Sequence, residues 1–196
     1  ELSPADVDVA RLIERCAETF RARAQAAGLS YRVEIQGSLG RACWDEAKVR
    51  QTLGQLIDNA LKFTRAGHVR VVARALEEDG LPMLRVSVED TGAGIAAHAL
   101  PSLFEQFAAE DDASGSKYGG RGLGLALARK LCLLMGGDVT VASQLGVGSS
   151  FSMSLPRGDS KLDAPAEADH IANAEIARLR RLIVERPPAP REEKIA

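Results

Sequence analysis

Three stretches of the chain carry residue types at spacings with chemical consequences. In "QLIDNALKF" (55–63), Gln55, Asn59 and Lys62 share one helix face at about 100° per residue, set beside the apolar stripe rather than opposite it. An asparagine oxygen can ligate Mg²⁺, and a lysine ammonium places a mobile positive charge on phosphate. The solvated edge of an amphipathic helix would carry the same residues. In "VEDTGAGI" (88–95), Asp90 stands where an alternating strand ends, and Gly92 and Gly94 follow at once. A carboxylate there accepts a hydrogen bond from an exocyclic amine but meets a carbonyl with an unpaired acceptor, so it would choose adenine over guanine. The glycines let backbone come close to the base; a simple turn is the alternative for this stretch taken alone. In "GGRGLGLALARKL" (119–131), Gly120, Gly122 and Gly124 precede and enter a helix, where each glycine costs about 1 kcal/mol against alanine. The first N–H groups of a helix lack acceptors and its dipole favours negative charge, so removing Cβ atoms there makes an anion cradle. The spacing is neither the dinucleotide GxGxxG nor a Walker loop, which implies a third architecture of nucleotide site.

The elements that must position these groups follow from periodicity. Val9, Leu12, Ile13, Cys16 and Phe20 predict one helix from Ser3-Pro4 to Gly28, and Tyr31, Val33 and Ile35 alternate as a strand. Asp45 is a candidate N-cap for a second helix with Val49, Leu53, Leu56, Ala60 and Phe63 on its apolar stripe. "HVRVVARAL" and "LRVSVED" predict a hairpin with a longer loop at "EEDGLP", and residues 91–118 a loop with a short helix inside. The glycine-opened helix carries Leu123, Leu127, Leu131 and Leu134 and stops at Gly136-Gly137; "DVTVAS" and "SFSMSL", joined by "QLGVG", close the domain. Strand pairs split by helices predict an α+β fold, with helices on one face of a mixed sheet.

Composition bounds the function classes. The chain has 196 residues, 45% hydrophobic and 27% charged, with a net charge of -2 and no basic footprint for nucleic acid or anionic lipid. No apolar run reaches bilayer length and the N-terminus has no signal features, so a cytoplasmic location without direct membrane insertion is expected. The missing initiator Met suggests a segment of a longer protein. Cys16, Cys43 and Cys132 lack metal spacing and are expected as reduced thiols, Cys16 and Cys132 packing as small hydrophobes. His68, placed in the turn "RAGHV", His98 and His170 are expected as ordinary surface histidines. After Pro156, residues 158–196 read as a linker and a candidate amphipathic helical tail with Ala172, Ile176, Leu179 and Ile183 on one side, with two alternatives open: a helix that docks on this domain or a neighbouring module, or a linker toward a receiver domain.

These motifs in this order resemble the ATP-binding domain of bacterial sensor histidine kinases, in the Bergerat-fold superfamily shared with gyrase, Hsp90 and MutL. The resemblance covers about residues 1–157. "WDEAKVRQTLGQLIDNALKFT" is similar to the N box, "DTGAGI" to the G1 box, "LPSLFEQF" to the F box, "GGRGLGLALARKL" to the G2 box and "GVGSSF" to the G3 turn. It implies a two-layer α/β sandwich of about five strands, three helices on one face and a mobile ATP lid between Phe107 and Gly119, including Lys117 and Tyr118. It implies ATP and Mg²⁺ as cofactors. Asn59 would coordinate the metal, Lys62 would touch phosphate and Phe63 would line the adenine. Asp90 would read the adenine amine, and Gly92, Gly94 and Ile95 would shape its slot. Gly120, Gly122, Leu123 and Gly124 would hold the phosphates, and Ser149 would join the site from the G3 turn. The partners implied are the dimerisation and histidine-phosphotransfer hairpin of a parent kinase and, indirectly, a response regulator or receiver domain.

Two departures qualify the resemblance. The position one turn before Asn59 is usually Asn, His or Glu, and here it is Gln55, whose amide cannot deprotonate water. That counts against autonomous ATP hydrolysis and against a serine kinase of the anti-sigma type, and it keeps open an ATP-sensing or scaffold domain of a degenerate kinase. No histidine in the chain has the surroundings of a phosphoacceptor, so the acceptor is expected elsewhere.

Overall fold

A computed structural model describes residues 2–104 and 123–158. The predicted second helix is the spine of the fold. It spans Glu46–Phe63 (α3), and the Asp45 side chain caps it by accepting the Lys48 N–H at 3.0 Å and the Ser3 N–H at 2.9 Å. Val49, Leu53, Leu56, Ile57 and Ala60 on its apolar stripe are fully buried, each large one contributing about 1.5–3 kcal/mol. Thr64 ends it, its hydroxyl bonding back to the Ala60 carbonyl at 2.7 Å.

Among the described residues seven strands accompany it: β1 (Ala5–Asp8), β2 (Ser30–Gln36), β3 (Arg41–Trp44), β4 (His68–Glu78), β5 (Leu81–Asp90), β6 (Asp138–Gln144) and β7 (Gly148–Pro156). Five form one mixed sheet in the order β2-β4-β5-β7-β6, with β2 parallel to β4 and the other pairs antiparallel. Register lines up apolar rows on its covered face: Val33, Val71, Val88, Phe151 and Val141, then Ile35, Ala73, Val86, Met153 and Val139. These pack beneath the helices in one core cluster. The opposite face is polar, with Arg70 bonded to Glu89 at 2.6 Å and Ser87 to Ser152 at 2.8 Å. The expected α+β architecture of a mixed five-stranded sheet under helices is the one observed.

Several local expectations are corrected. The first helix is two, α1 (Val9–Glu18) and α2 (Arg21–Ala26), because the Thr19 hydroxyl bonds back to the Cys16 carbonyl and the chain turns at Phe20. Ahead of α1 the chain forms β1, which pairs with β3 in a separate two-stranded sheet. The β4–β5 hairpin closes with the two residues Asp79 and Gly80, at φ 52° and 77°, rather than a longer loop; positive φ at both central positions matches strand twist. His68 opens β4 instead of lying in the preceding turn. Of the stretch 91–118, expected as a loop with a short helix inside, residues 91–104 are described and hold one 3₁₀ turn, Ala97–Ala99; residues 105–118 lie outside the described residues.

The glycine-opened helix spans Leu123–Leu134 (α4) and buries Ala128, Leu131 and Cys132, while Leu127 and Leu134 of the expected stripe are exposed. Cys16, Cys43 and Cys132 are free thiols, and burial pushes Cys132 up to about 12, so it packs as an inert hydrophobe. No helix among the described residues is long and apolar enough to cross a membrane. The tail from 159, with His170, lies outside the described residues.

Candidate nucleotide site

The sheet register continues one step past the apolar rows into polar residues. Asp90, Ser149 and Ser143 are successive cross-strand partners on β5, β7 and β6, and their parity puts them on the covered face at one end of the sheet. Asp90 is 9% exposed. Burial pushes its carboxyl above the ordinary carboxylate value, opposed by hydrogen bonds from the Gly92 and Ser149 backbone N–H groups. The Gly92 N–H donates to Oδ1 at 2.8 Å.

The loop after Asp90 is tied to neighbours on three sides. The Ala93 N–H reaches the carbonyl of Phe63 at the end of α3, 3.4 Å away, and the Ala93 carbonyl accepts the Gly146 N–H at 2.7 Å. The Ile95 N–H donates to the Ser143 hydroxyl at 2.8 Å. Thr91 closes the third side, its Oγ1 accepting the His68 N–H at 2.9 Å. The glycines are bare for identifiable reasons. A Cβ on Gly92 would stand 2.5 Å from the Phe63 carbonyl oxygen, and one on Gly94, at φ 66°, would overlap the Gln144 carbonyl. Neither Thr91 nor Ser143 carries a local signal of its own in the sequence. Thr91 stood inside the quoted motif, and Ser143 ended a strand whose alternation put it on the face of Val139 and Val141.

The other end of the site lies on α3. Gln55, Asn59 and Lys62 are half-buried along the edge of its apolar stripe, the placement expected. The Lys62 ammonium lies 5.2 Å from the Phe63 ring centroid, and Phe63 is 50% exposed. Gly124 of α4 faces this edge: a Cβ there would stand 2.5 Å from the Gln55 Oε1. That contact is with the tip of a flexible side chain, which can move aside, so it shows the closeness of α4 to α3 without by itself requiring glycine at 124. Phe107, Lys117, Tyr118, Gly120 and Gly122 lie outside the described residues, and α4 begins at Leu123. Backbone bonds thus join three of the stretches, the end of α3, the Asp90 loop and the β6–β7 turn, and Gly124 joins the fourth to α3. The donor set fits a nucleotide: a buried carboxylate for an amine at the sheet end, and an amide and an ammonium on α3 for metal and phosphate.

Residues 44–159 match the family described as histidine kinase-, DNA gyrase B-, and HSP90-like ATPase. Aerobic respiration control sensor protein ArcB of Escherichia coli (strain K12) is 38% identical over 154 residues, which are 78% of this chain and 18% of that protein. Hybrid signal transduction histidine kinase B of Dictyostelium discoideum is 38% identical over 115 residues, 58% of this chain and 6% of that one. The chain thus spans less than a fifth of the length of these relatives. Among solved structures, full-length ShkA in complex with AMPPNP superposes with a TM-score of 0.72 at 38% identity, over 82% of this chain and 32% of that one. The nucleotide-free catalytic domain of histidine kinase ThkA, at 20% identity and a TM-score of 0.64, shares the fold over 80% of this chain and 97% of its own. With its matching segment running from Trp44 through β7, the chain belongs to the histidine kinase-, DNA gyrase B-, and HSP90-like ATPase family.

Proposed function

We propose that residues 1–157 are the ATP-binding catalytic domain of a two-component sensor histidine kinase, working on the cytoplasmic side and transferring the γ-phosphoryl group of ATP to a histidine on a separate dimerisation hairpin. The observation that carries this reading is the buried Asp90 carboxylate at the end of the covered sheet face, beside a loop bonded to both α3 and the β6–β7 turn. Asp90 accepts the adenine amine, Gly92, Gly94 and Ile95 shape the slot, and Phe63 covers the base. Lys62 and the N-terminal glycines of the α4 segment hold phosphate oxygens. Bound at Asn59, Mg²⁺ would neutralise charge on the polyphosphate. The acceptor imidazole nitrogen attacks the γ-phosphorus in line as the bond to the β–γ bridging oxygen breaks and ADP leaves, so the domain contributes position and electrostatics.

The test supplies γ-labelled ATP, Mg²⁺ and a dimerisation hairpin bearing the acceptor histidine, and follows label on the hairpin. Labelling that disappears with Asn59→Ala supports the reading. ATP binding without labelling supports a second reading, an ATP-sensing domain that does not transfer. That reading is favoured by Gln55, which carries no acid–base chemistry and packs on Gly124. Residues 158–196 are proposed as a linker with an amphipathic helix toward a receiver or regulator; unchanged nucleotide affinity after its deletion would argue against docking near the site.

A further inference from the structure

The Ser143 hydroxyl has three polar neighbours: the Ile95 N–H at 2.8 Å, the Gly148 carbonyl at 2.9 Å and the Ser149 hydroxyl at 3.0 Å. A serine hydroxyl has one proton to give. Ile95 can only donate and Gly148 can only accept, so Ser143 donates to Gly148. The remaining contact is satisfied only if Ser149 donates to Ser143. The Ser149 proton is then committed sideways, and its oxygen offers lone pairs to whatever lies against the covered face. Asp90, the cross-strand partner of Ser149, offers carboxylate lone pairs in the same row. Two adjacent groups that only accept suit a ring edge bearing an N–H₂ and oppose one bearing a carbonyl.

We propose that Ser143 is a positioning residue for base recognition, fixing both the Ile95 end of the slot and the hydroxyl orientation of Ser149, so that the site selects a 6-amino purine over a 6-oxo purine. This inference rests on the reading of Asp90 as the base acceptor. Without the Ser143 hydroxyl the Ile95 N–H loses its partner and Ser149 rotates to donate to a carbonyl as readily as it accepts.

The experiment measures ADP and IDP affinity by calorimetry for the wild-type chain, Ser143→Ala and Ser143→Thr. Ser143→Ala is expected to weaken ADP about tenfold, the effect of one unmade hydrogen bond, and to narrow the ADP-to-IDP ratio; Ser143→Thr, which keeps the hydroxyl, restores both. Unchanged ADP affinity and ratio in Ser143→Ala, or equal losses for ADP and IDP, overturn the role of Ser143 while leaving the nucleotide reading intact. A wild-type chain that binds neither nucleotide overturns both. Should Ser143→Ala not fold, amide exchange at Ile95 in the wild type decides: slowing by bound ADP supports the proposal, and no change overturns it.

Discussion

The two ends of the candidate site are built differently. The proposed base end is made of neighbours in sheet register, Asp90, Ser149 and Ser143, joined by hydrogen bonds and held where the core rows stop. The α3 end consists of half-buried side chains, Gln55, Asn59 and Lys62, from a single helix. Sheet register fixes the spacing of the first group, whereas long side chains on a helix edge retain rotamer freedom. The contrast suits a ligand with a rigid planar ring at one end and a flexible charged chain at the other.

The sharpest way to break this comparison is to remove the carboxylate. Asp90→Ala is expected to cut ADP affinity about a hundredfold, the cost of a charge-assisted bond plus a misfit slot; calorimetry showing less than a threefold loss would place the base elsewhere. Gly94→Ala attacks the loop instead. It forces a left-handed side chain against the Gln144 carbonyl, and about 3 kcal/mol of lost stability is expected from strain and backbone displacement together. The control is Gly28→Ala, at φ 71° with nothing within 4 Å, where about 1 kcal/mol is expected; equal denaturation midpoints for the two variants would remove the close-approach explanation. Asn59→Ala should separate the ends, abolishing the Mg²⁺ dependence of ATP affinity while adenosine binds as before. A matching loss of adenosine would show that the two ends are not independent.

The smallest expected effect is in pH. The Asp90 carboxyl is raised by burial, so the folded apo chain holds its proton more tightly than the unfolded one. This group's stabilising effect is complete below its unfolded pKa and is lost as pH rises through the higher folded value. On the proposed reading of Asp90 nucleotide affinity runs the other way, because the amine would need the ionised carboxylate. Acidification through that window should therefore weaken ADP binding several-fold, and Asp90→Asn should abolish the opposition between the two profiles.

How legible this was in the sequence varied with contrast. The α3 helix could be read from its Asp45 cap and apolar stripe, and β4 to β7 from alternation. In α4, by contrast, "LGLALARKLCLL" has almost no polar face, so although Cys132 packs as expected, periodicity does not distinguish the buried Ala128 from the exposed Leu127 and Leu134. The four-residue strands β1 and β3 were too short for a period to register, and the break at Thr19 carries neither Gly nor Pro. Asp90, Gly92 and Gly94 announced themselves by type and spacing. Ser143 did not, because its importance lies in register across β6 and β7, which no local window contains.

The most direct measurement is a calorimetric titration of this chain with adenosine alone and with ATP in the presence and absence of Mg²⁺. Saturable adenosine binding, with ATP tightened by the metal, is the result predicted for a site with a sheet-built base end and a helix-built phosphate end. Absence of binding by every one of these ligands would contradict the account.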